Sequence, residues 1–199
     1  MTMSPAEEKE IIERIVCFGE KDLFRRLVEE NASMILNMIV RMTGNSEDAR
    51  DIAQEAFVKA YFSLGKYRGE SSFSTWLYTI AYNRALSSLR KRRRFFPREK
   101  FTDRELAEGE SLFEDSGEEV SRKRSMERKY DLIDSAFEKL SPSEKFLVGA
   151  FYRDGRSIKE ISGITGLSVS NIKVRLHRLR ARIGELIEKT EYCNDGYTG

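Results

Sequence analysis

Cysteine, proline and histidine are scarce in this chain of 199 residues, which holds two, three and one of them respectively. Cys17 and Cys193 lie far apart and in no Cys-x-x-Cys or cysteine–histidine pattern. That argues against a disulfide-stapled scaffold and against a thiolate zinc site. Cys17 falls in an apolar helical run and is expected to be buried as a small hydrophobe. The lone His177 has no second ligand and no neighbouring nucleophile, so it reads as a polar surface group and not as a catalytic base. No apolar run approaches the roughly 20 residues of a membrane helix, and no basic-then-apolar leader opens the chain. The expectation is a cytoplasmic protein with no direct membrane insertion and no cofactor.

Few prolines, and few stretches of β-branched alternation, point to an all-α fold. Apolar residues recur at three- and four-residue steps in Leu23, Phe24, Leu27, Ile35, Leu36, Ile39 and Val40, and again in Ala49, Ile52, Ala53, Ala56, Phe57, Ala60 and Leu64. Gly44 suits a left-handed helix end, and Asn45 or Ser46 a cap for the next helix. A further helix is expected from near Phe73, with Trp76, Leu77 and Ile80 on one side. It runs into Arg90-Lys91-Arg92-Arg93-Arg94. Residues 1–96 thus read as one small helical domain.

The net charge is only +2, but the signs are segregated. Residues 90–104 carry eight Lys/Arg against Glu99 and Asp103, and residues 105–121 carry seven acids and no Lys or Arg. Residues 97–123 lose apolar periodicity and are expected to be a flexible linker with, at most, a short docked helix. Periodicity resumes with Met126, Tyr130, Ile133, Phe137 and Leu140, opening a second domain at 124–199. Ser141-Pro142-Ser143-Glu144 combines a cap, a first-turn proline and a capping-box glutamate, and Ser157 with Glu160 repeats the box.

Ile158 to Thr165, a turn at Gly166-Leu167-Ser168, and a helix from Val169 have helix-turn-helix spacing. Val169, Ile172, Leu176, Leu179 and Ile183 are expected to pack inward. Ser170, Lys173, Val174, His177 and Arg178 lie mostly opposite, with Asn171 and Arg175 at the borders. Such a face can enter a major groove, its cations meeting phosphates. An ordinary solvated basic face is the bland alternative. The capped helix, the glycine turn and the one-sided charge together favour DNA.

In the first half, Asp48, Asp51 and Glu55 share one helix face, with Gln54 beside them. Three such carboxylates suit a Mg²⁺ site, a solvated surface, or docking of a basic partner. Tyr67, Arg68, Phe73, Trp76 and Tyr78 cluster around a loop containing Gly69, Ser71 and Ser72, with Asn83 and Arg84 following. Aromatic rings among cations suit unpaired bases, at about 1–3 kcal/mol per stacked base. An amide such as Asn83 can read an extruded base edge. Phe73 and Trp76 are equally suited to a hydrophobic core.

These halves, in this order, resemble the extracytoplasmic-function (ECF) group of bacterial sigma-70 factors. Asp48-Ala49-Arg50-Asp51-Ile52-Ala53-Gln54-Glu55-Ala56-Phe57 is similar to the family's region 2.2. Tyr67-Arg68-Gly69 through Ser74-Thr75-Trp76-Leu77, then Ile80-Ala81-Tyr82-Asn83, is similar to regions 2.3 and 2.4. Leu140-Ser141-Pro142, Ile158-Lys159-Glu160-Ile161-Ser162 and Val174-Arg175-Leu176-His177-Arg178-Leu179-Arg180 resemble region 4.

The resemblance implies a non-enzymatic subunit that binds core RNA polymerase, through the clamp helices of its largest subunit and its flap region, and directs initiation at promoter DNA. Asp48, Asp51, Gln54 and Glu55 would form the polymerase face. Arg68, Gly69, Ser71, Ser72, Phe73, Trp76, Asn83 and Arg84 would engage and help melt the −10 element. Ser170, Asn171, Lys173, Val174, Arg175, His177 and Arg178 would read the −35 element. An anti-sigma factor is an expected partner, and no metal is implied. The chain departs from common family patterns at Ser170-Asn171-Ile172, Ile161-Ser162-Gly163 and Val174.

Overall fold

The computed structural model describes residues 4–95 and 132–195, and every regular element among them is helical. The calls on Met126, on Tyr130 and on the linker lie outside these residues.

Local sequence explains the helix ends. In α1 (Pro5–Phe18), Ser4 and Glu7 form a reciprocal capping box: the Ser4 amide donates to Glu7 Oε2 at 2.8 Å, and the Glu7 amide to Ser4 Oγ at 3.3 Å. After a single 3₁₀ turn, α2 spans Phe24–Thr43 and stops at Gly44, whose φ of 69° is open to glycine at little cost. Asn45 then caps α3 (Ser46–Ser63) by accepting from the amides of Glu47 and Asp48. The inward stripe of α3 is mostly alanine, with Ala49, Ile52, Ala53, Ala56 and Ala60 buried. Small side chains let helix axes approach closely, so α3 lies tight against α2 and α4 (Phe73–Phe95).

In the second half, a short stretch of helix at 132–138 (α5) leads to α6 (Pro142–Val148), opened by the Ser141 amide donating to Glu144 Oε2 at 2.7 Å. A wider π turn at Gly149–Arg153 follows, which the sequence pattern did not announce. Then come α7 (Ile158–Thr165), with its Ser157/Glu160 capping box, and α8 (Val169–Asp195) after the left-handed Gly166. Ile172, Leu176 and Leu179 of α8 are buried as expected and Ile183 is partly so. Val169 is a correction: at the first position of α8 it is 40% exposed. Cys17 is another. The inner face of α1 is Ile11, Ile12 and Ile15, which rotates Cys17 out to solvent.

The two halves pack against each other, and their buried residues form one cluster running from Ile11 to Leu179. Phe146 of α6 lies against α4, its ring 4.1 Å from that of Tyr82 and 5.9 Å from that of Tyr78. Around this contact lies a polar seam built by the loop between α6 and α7. Asp154 accepts from Arg41 of α2 at 2.5 Å and from the Tyr78 hydroxyl of α4. Arg156, only 9% exposed, donates to Thr75 Oγ1 and Ser74 Oγ at 2.9 Å each, and lies 4.7 Å above the Tyr78 ring. Burial, and then the bond to Asp154, push the Tyr78 hydroxyl far above its ordinary pKa, so it stays a proton donor.

Candidate nucleic-acid interface

Two rigid supports hold the outer face of α8 in place. Within the turn, the Ser162 hydroxyl donates to the Leu167 carbonyl at 2.6 Å and the Leu167 amide to Thr165 Oγ1 at 3.2 Å. Behind it, Arg182 pairs with Glu144 of α6 at 3.0 Å. That contact turns Arg182 toward α6 and away from the free basic face. Ser170, Asn171, Lys173, Val174, Arg175, His177 and Arg178 are all exposed. Arg175 is oriented by Asn171, whose Oδ1 accepts from its Nε at 2.7 Å. Lys173, His177 and Arg178 make no ion pair among the described residues. An exposed cationic strip on a firmly seated helix can meet phosphates and base edges together.

The loop before α4 is likewise braced. Gly69 takes a φ of 71°, and the Tyr67 hydroxyl donates to the Ser71 carbonyl at 2.6 Å, folding the loop back on itself. Ser72 caps α4 through the Thr75 amide at 3.2 Å. The Phe73 amide donates to Glu8 of α1 at 3.0 Å, so α1 holds the loop from outside. Arg68, Gly69, Ser71 and Ser72 are exposed, as is Asn83 one face further along α4. For Phe73, left open between core and contact, the structure shows the core. Its side chain is fully enclosed, with its ring against Tyr67 and Trp76 at 6.0 and 5.6 Å, so it anchors the loop and has no free face for a base. Trp76 is half-buried, with part of its ring open.

On α3, Asp51, Gln54 and Glu55 face solvent and line a shallow depression of about 600 Å³ with Val58 and Phe62. Asp48 and Glu55 are matched by α4 arginines: Asp48 pairs with Arg92, and Glu55 with Arg84 at 3.3 Å. Among the described residues no group of three or more His, Cys, Asp or Glu is placed to hold a metal. Asp48 and Glu55 are thus ion-paired across to α4, while Asp51 makes no ion pair among the described residues.

An adjoining apolar groove of about 530 Å³ between α2 and α3 is lined by Phe24, Leu36, Phe57, Tyr61 and Phe62, and Phe62 is 80% exposed. Sequence reasoning missed this groove. Phe57 lies at helical spacing with the core residues, and the alanines that let α3 approach α2 leave its larger rings at the rim.

Two family models match the chain, Sigma-70 region 2 over residues 27–95 and Sigma-70, region 4 over residues 130–183. The RNA polymerase sigma-H factor of Pseudomonas aeruginosa is 30% identical over 188 residues, covering 94% of this chain and 96% of that protein. The ECF sigma-E factor of Escherichia coli is 30% identical, covering 85% and 89%. The ECF sigma factor SigW of Bacillus subtilis is 30% identical, covering 81% and 87%. Among solved structures, the sigma factor RpoE bound to the anti-sigma factor NepR, from Bartonella quintana, has a TM-score of 0.62 at 21% identity, over 83% of this chain and 96% of that one. CnrH bound to the cytosolic domain of CnrY gives 0.62 at 18%, over 92% and 97%. No helix among the described residues is long and apolar enough to cross a membrane. With both signatures in the family's order, and relatives matched over nearly their full lengths, the chain belongs to the ECF group of the sigma-70 family.

Proposed function

We propose that this sigma factor, which directs core RNA polymerase to promoters through their −10 and −35 elements, divides its work among three of its surfaces. The α3 face of Asp48, Asp51, Gln54 and Glu55 docks on the polymerase's largest subunit, with charge complementarity setting orientation and association rate. Arg68, Gly69, Ser71 and Ser72, with the open part of Trp76 and with Asn83 and Arg84, capture unpaired bases of the −10 element. Phe73 holds that loop from beneath. The outer face of α8 reads the −35 element, with Ser170, Asn171, Lys173, Val174 and Arg175 toward base edges and His177 and Arg178 toward the backbone. The sigma subunit contributes binding and DNA opening in the cytoplasm, and catalysis belongs to the polymerase.

One observation carries this reading above the others: a basic helix face and an aromatic-basic loop occur on the same chain as a separate acidic docking face. A dimeric helix-turn-helix repressor explains only the first of these. The pairing of Asp48 and Glu55 with arginines weakens the reading of these carboxylates as a Mg²⁺ site. NepR is the anti-sigma partner of the neighbour RpoE. A partner of the same kind is assigned here, on the apolar groove beside the acidic face.

The deciding experiment is run-off transcription with purified core polymerase on a library of promoter fragments. Defined start sites are expected only when the chain is added. The same transcripts with and without it would overturn the proposal.

A further inference from the structure

α4 begins with an amide that its own loop does not satisfy. Ser72 serves the first turn through its hydroxyl, which accepts from Thr75 at 3.2 Å, and its carbonyl, which accepts from Trp76 at 3.1 Å. The Phe73 N–H is left over, one of the donors that every helix start leaves without a partner of its own. At a surface, water commonly takes such a donor. Here Glu8 Oε takes it at 3.0 Å, from 65 positions away on α1. Negative charge is favourable at that end of a helix, so the contact is electrostatically matched.

The same carboxylate acts on Tyr67. Burial, and then Glu8, push the Tyr67 hydroxyl above its ordinary pKa, which keeps it protonated and donating to the Ser71 carbonyl. Glu8 thus serves both ends of the loop from Tyr67 to Phe73. The rings of these two residues are also the ones that Trp76 rests on, at 5.4 and 5.6 Å. Behind Glu8, α1 is firmly seated. Ile11, Ile12 and Ile15 are buried in the core, and Glu20 beyond its end receives Nε and Nη2 of Arg14 at 3.1 and 2.6 Å. A half-buried carboxylate on so fixed a helix restrains the loop it touches.

Restraint bears directly on base capture. An extruded base gains its full stacking only where the receiving ring already stands in place, because ordering the loop on arrival would cancel part of the gain. We propose that Glu8 is a positioning residue for −10 recognition, whose bond to the Phe73 amide holds the loop and the open part of Trp76 in the form that receives an unpaired base. This role rests on the base-capture assignment made above.

Trp76 is the only tryptophan in the chain, so its emission reports on the loop without a label. Glu8→Ala removes the acceptor, and alanine is the best helix former, so α1 is kept. In the free chain, acrylamide should quench Trp76 at least about twice as fast in Glu8→Ala as in the parent, because the loop opens locally. Glu8→Gln retains a side-chain oxygen for the Phe73 amide and should quench as the parent does.

Polymerase holoenzyme is then titrated with the single-stranded non-template −10 strand of a promoter that it starts from, each base replaced in turn by an abasic site. In the parent, loss of the captured base should weaken binding about tenfold, in keeping with one stacked base. In Glu8→Ala that penalty should fall to about twofold or less, while the penalties at other positions and the affinity for core polymerase hold. Glu8→Gln should restore the parent penalty. A residue that only stabilised the fold would lower affinity at every position and would not erase the contribution of one base.

Parent-like quenching in Glu8→Ala, a captured-base penalty that survives in it, or Glu8→Gln behaving as Glu8→Ala would each overturn the role. Should run-off transcription give no defined start, the sigma assignment falls by itself. The quenching comparison needs no promoter and still decides whether Glu8 holds the loop.

Discussion

Arginine does opposite work in the seam between the halves and on the outer face of α8. In the seam, Arg41 and its partner Asp154 keep only 13% and 14% of their side-chain surface exposed, and Arg156 has an acceptor on each terminal nitrogen. On α8, Arg178 and Lys173 stand exposed with no ion pair among the described residues. The residue type is the same, and burial decides its role. Enclosed and fully partnered, it fastens the chain to itself; exposed, it is left for phosphates. A composition count that pools the two sets, as a net charge of +2 does, hides both roles.

The contrast is broken most sharply at Asp154. Asp154→Ala leaves Arg41 and the Tyr78 hydroxyl without their acceptor in an enclosed place, and removing one partner of such a pair costs about 3–5 kcal/mol. Urea unfolding should register a loss of that size. A loss below about 1 kcal/mol would mean that the seam behaves like open surface.

Asp51→Ala with Glu55→Ala tests an exposed face where no such penalty applies. Stability should hold while polymerase affinity falls about tenfold, or about 1.4 kcal/mol, in a fluorescence titration. Unchanged affinity would remove the docking role from α3.

Arg178→Ala should cost no stability and should lower the salt-dependence slope of upstream-DNA binding by about one. An unaltered slope would show that this arginine meets no phosphate.

The smallest effect is that of Glu160. Burial raises its pKa, but the hydrogen bonds from Ser157 and the contact with Arg156 outweigh that and leave it below the ordinary 4.5. A depressed carboxylate stabilises fully above its unfolded value and loses that contribution as pH falls through the folded one. Stability in urea unfolding should therefore hold at neutral pH and lose this contribution only below about 4.5. Glu160→Gln should flatten that dependence.

What was legible in the sequence was local. Asn45, Ser141-Pro142 and the Ser157/Glu160 box mark helix starts because a cap needs only residues within three positions of one another. The division of α8 was legible because its inward residues repeat at helical spacing, and Val169 escaped because position in a helix says nothing about how far the neighbouring helix reaches. Phe73 was left open between core and contact, since aromatic content alone does not tell a buried ring from an open one. The seam was not legible at all. Tyr78 and Asp154 are 76 positions apart, and Met34 and Arg156 are 122 apart, with no periodicity to announce either pair. Gly149 likewise resembles any helix-end glycine until Arg41 is seen lying across it.

The carboxylate of Glu8 has a practical consequence. Its bond to the Phe73 amide makes α1 an outrigger for the base-capturing loop, although α1 precedes the matched region 2 segment and supplies none of the assigned DNA contacts. An amino-terminal tag that levers this helix aside would be expected to blunt promoter melting while leaving every assigned reading residue intact, so purification handles are better attached at the opposite end.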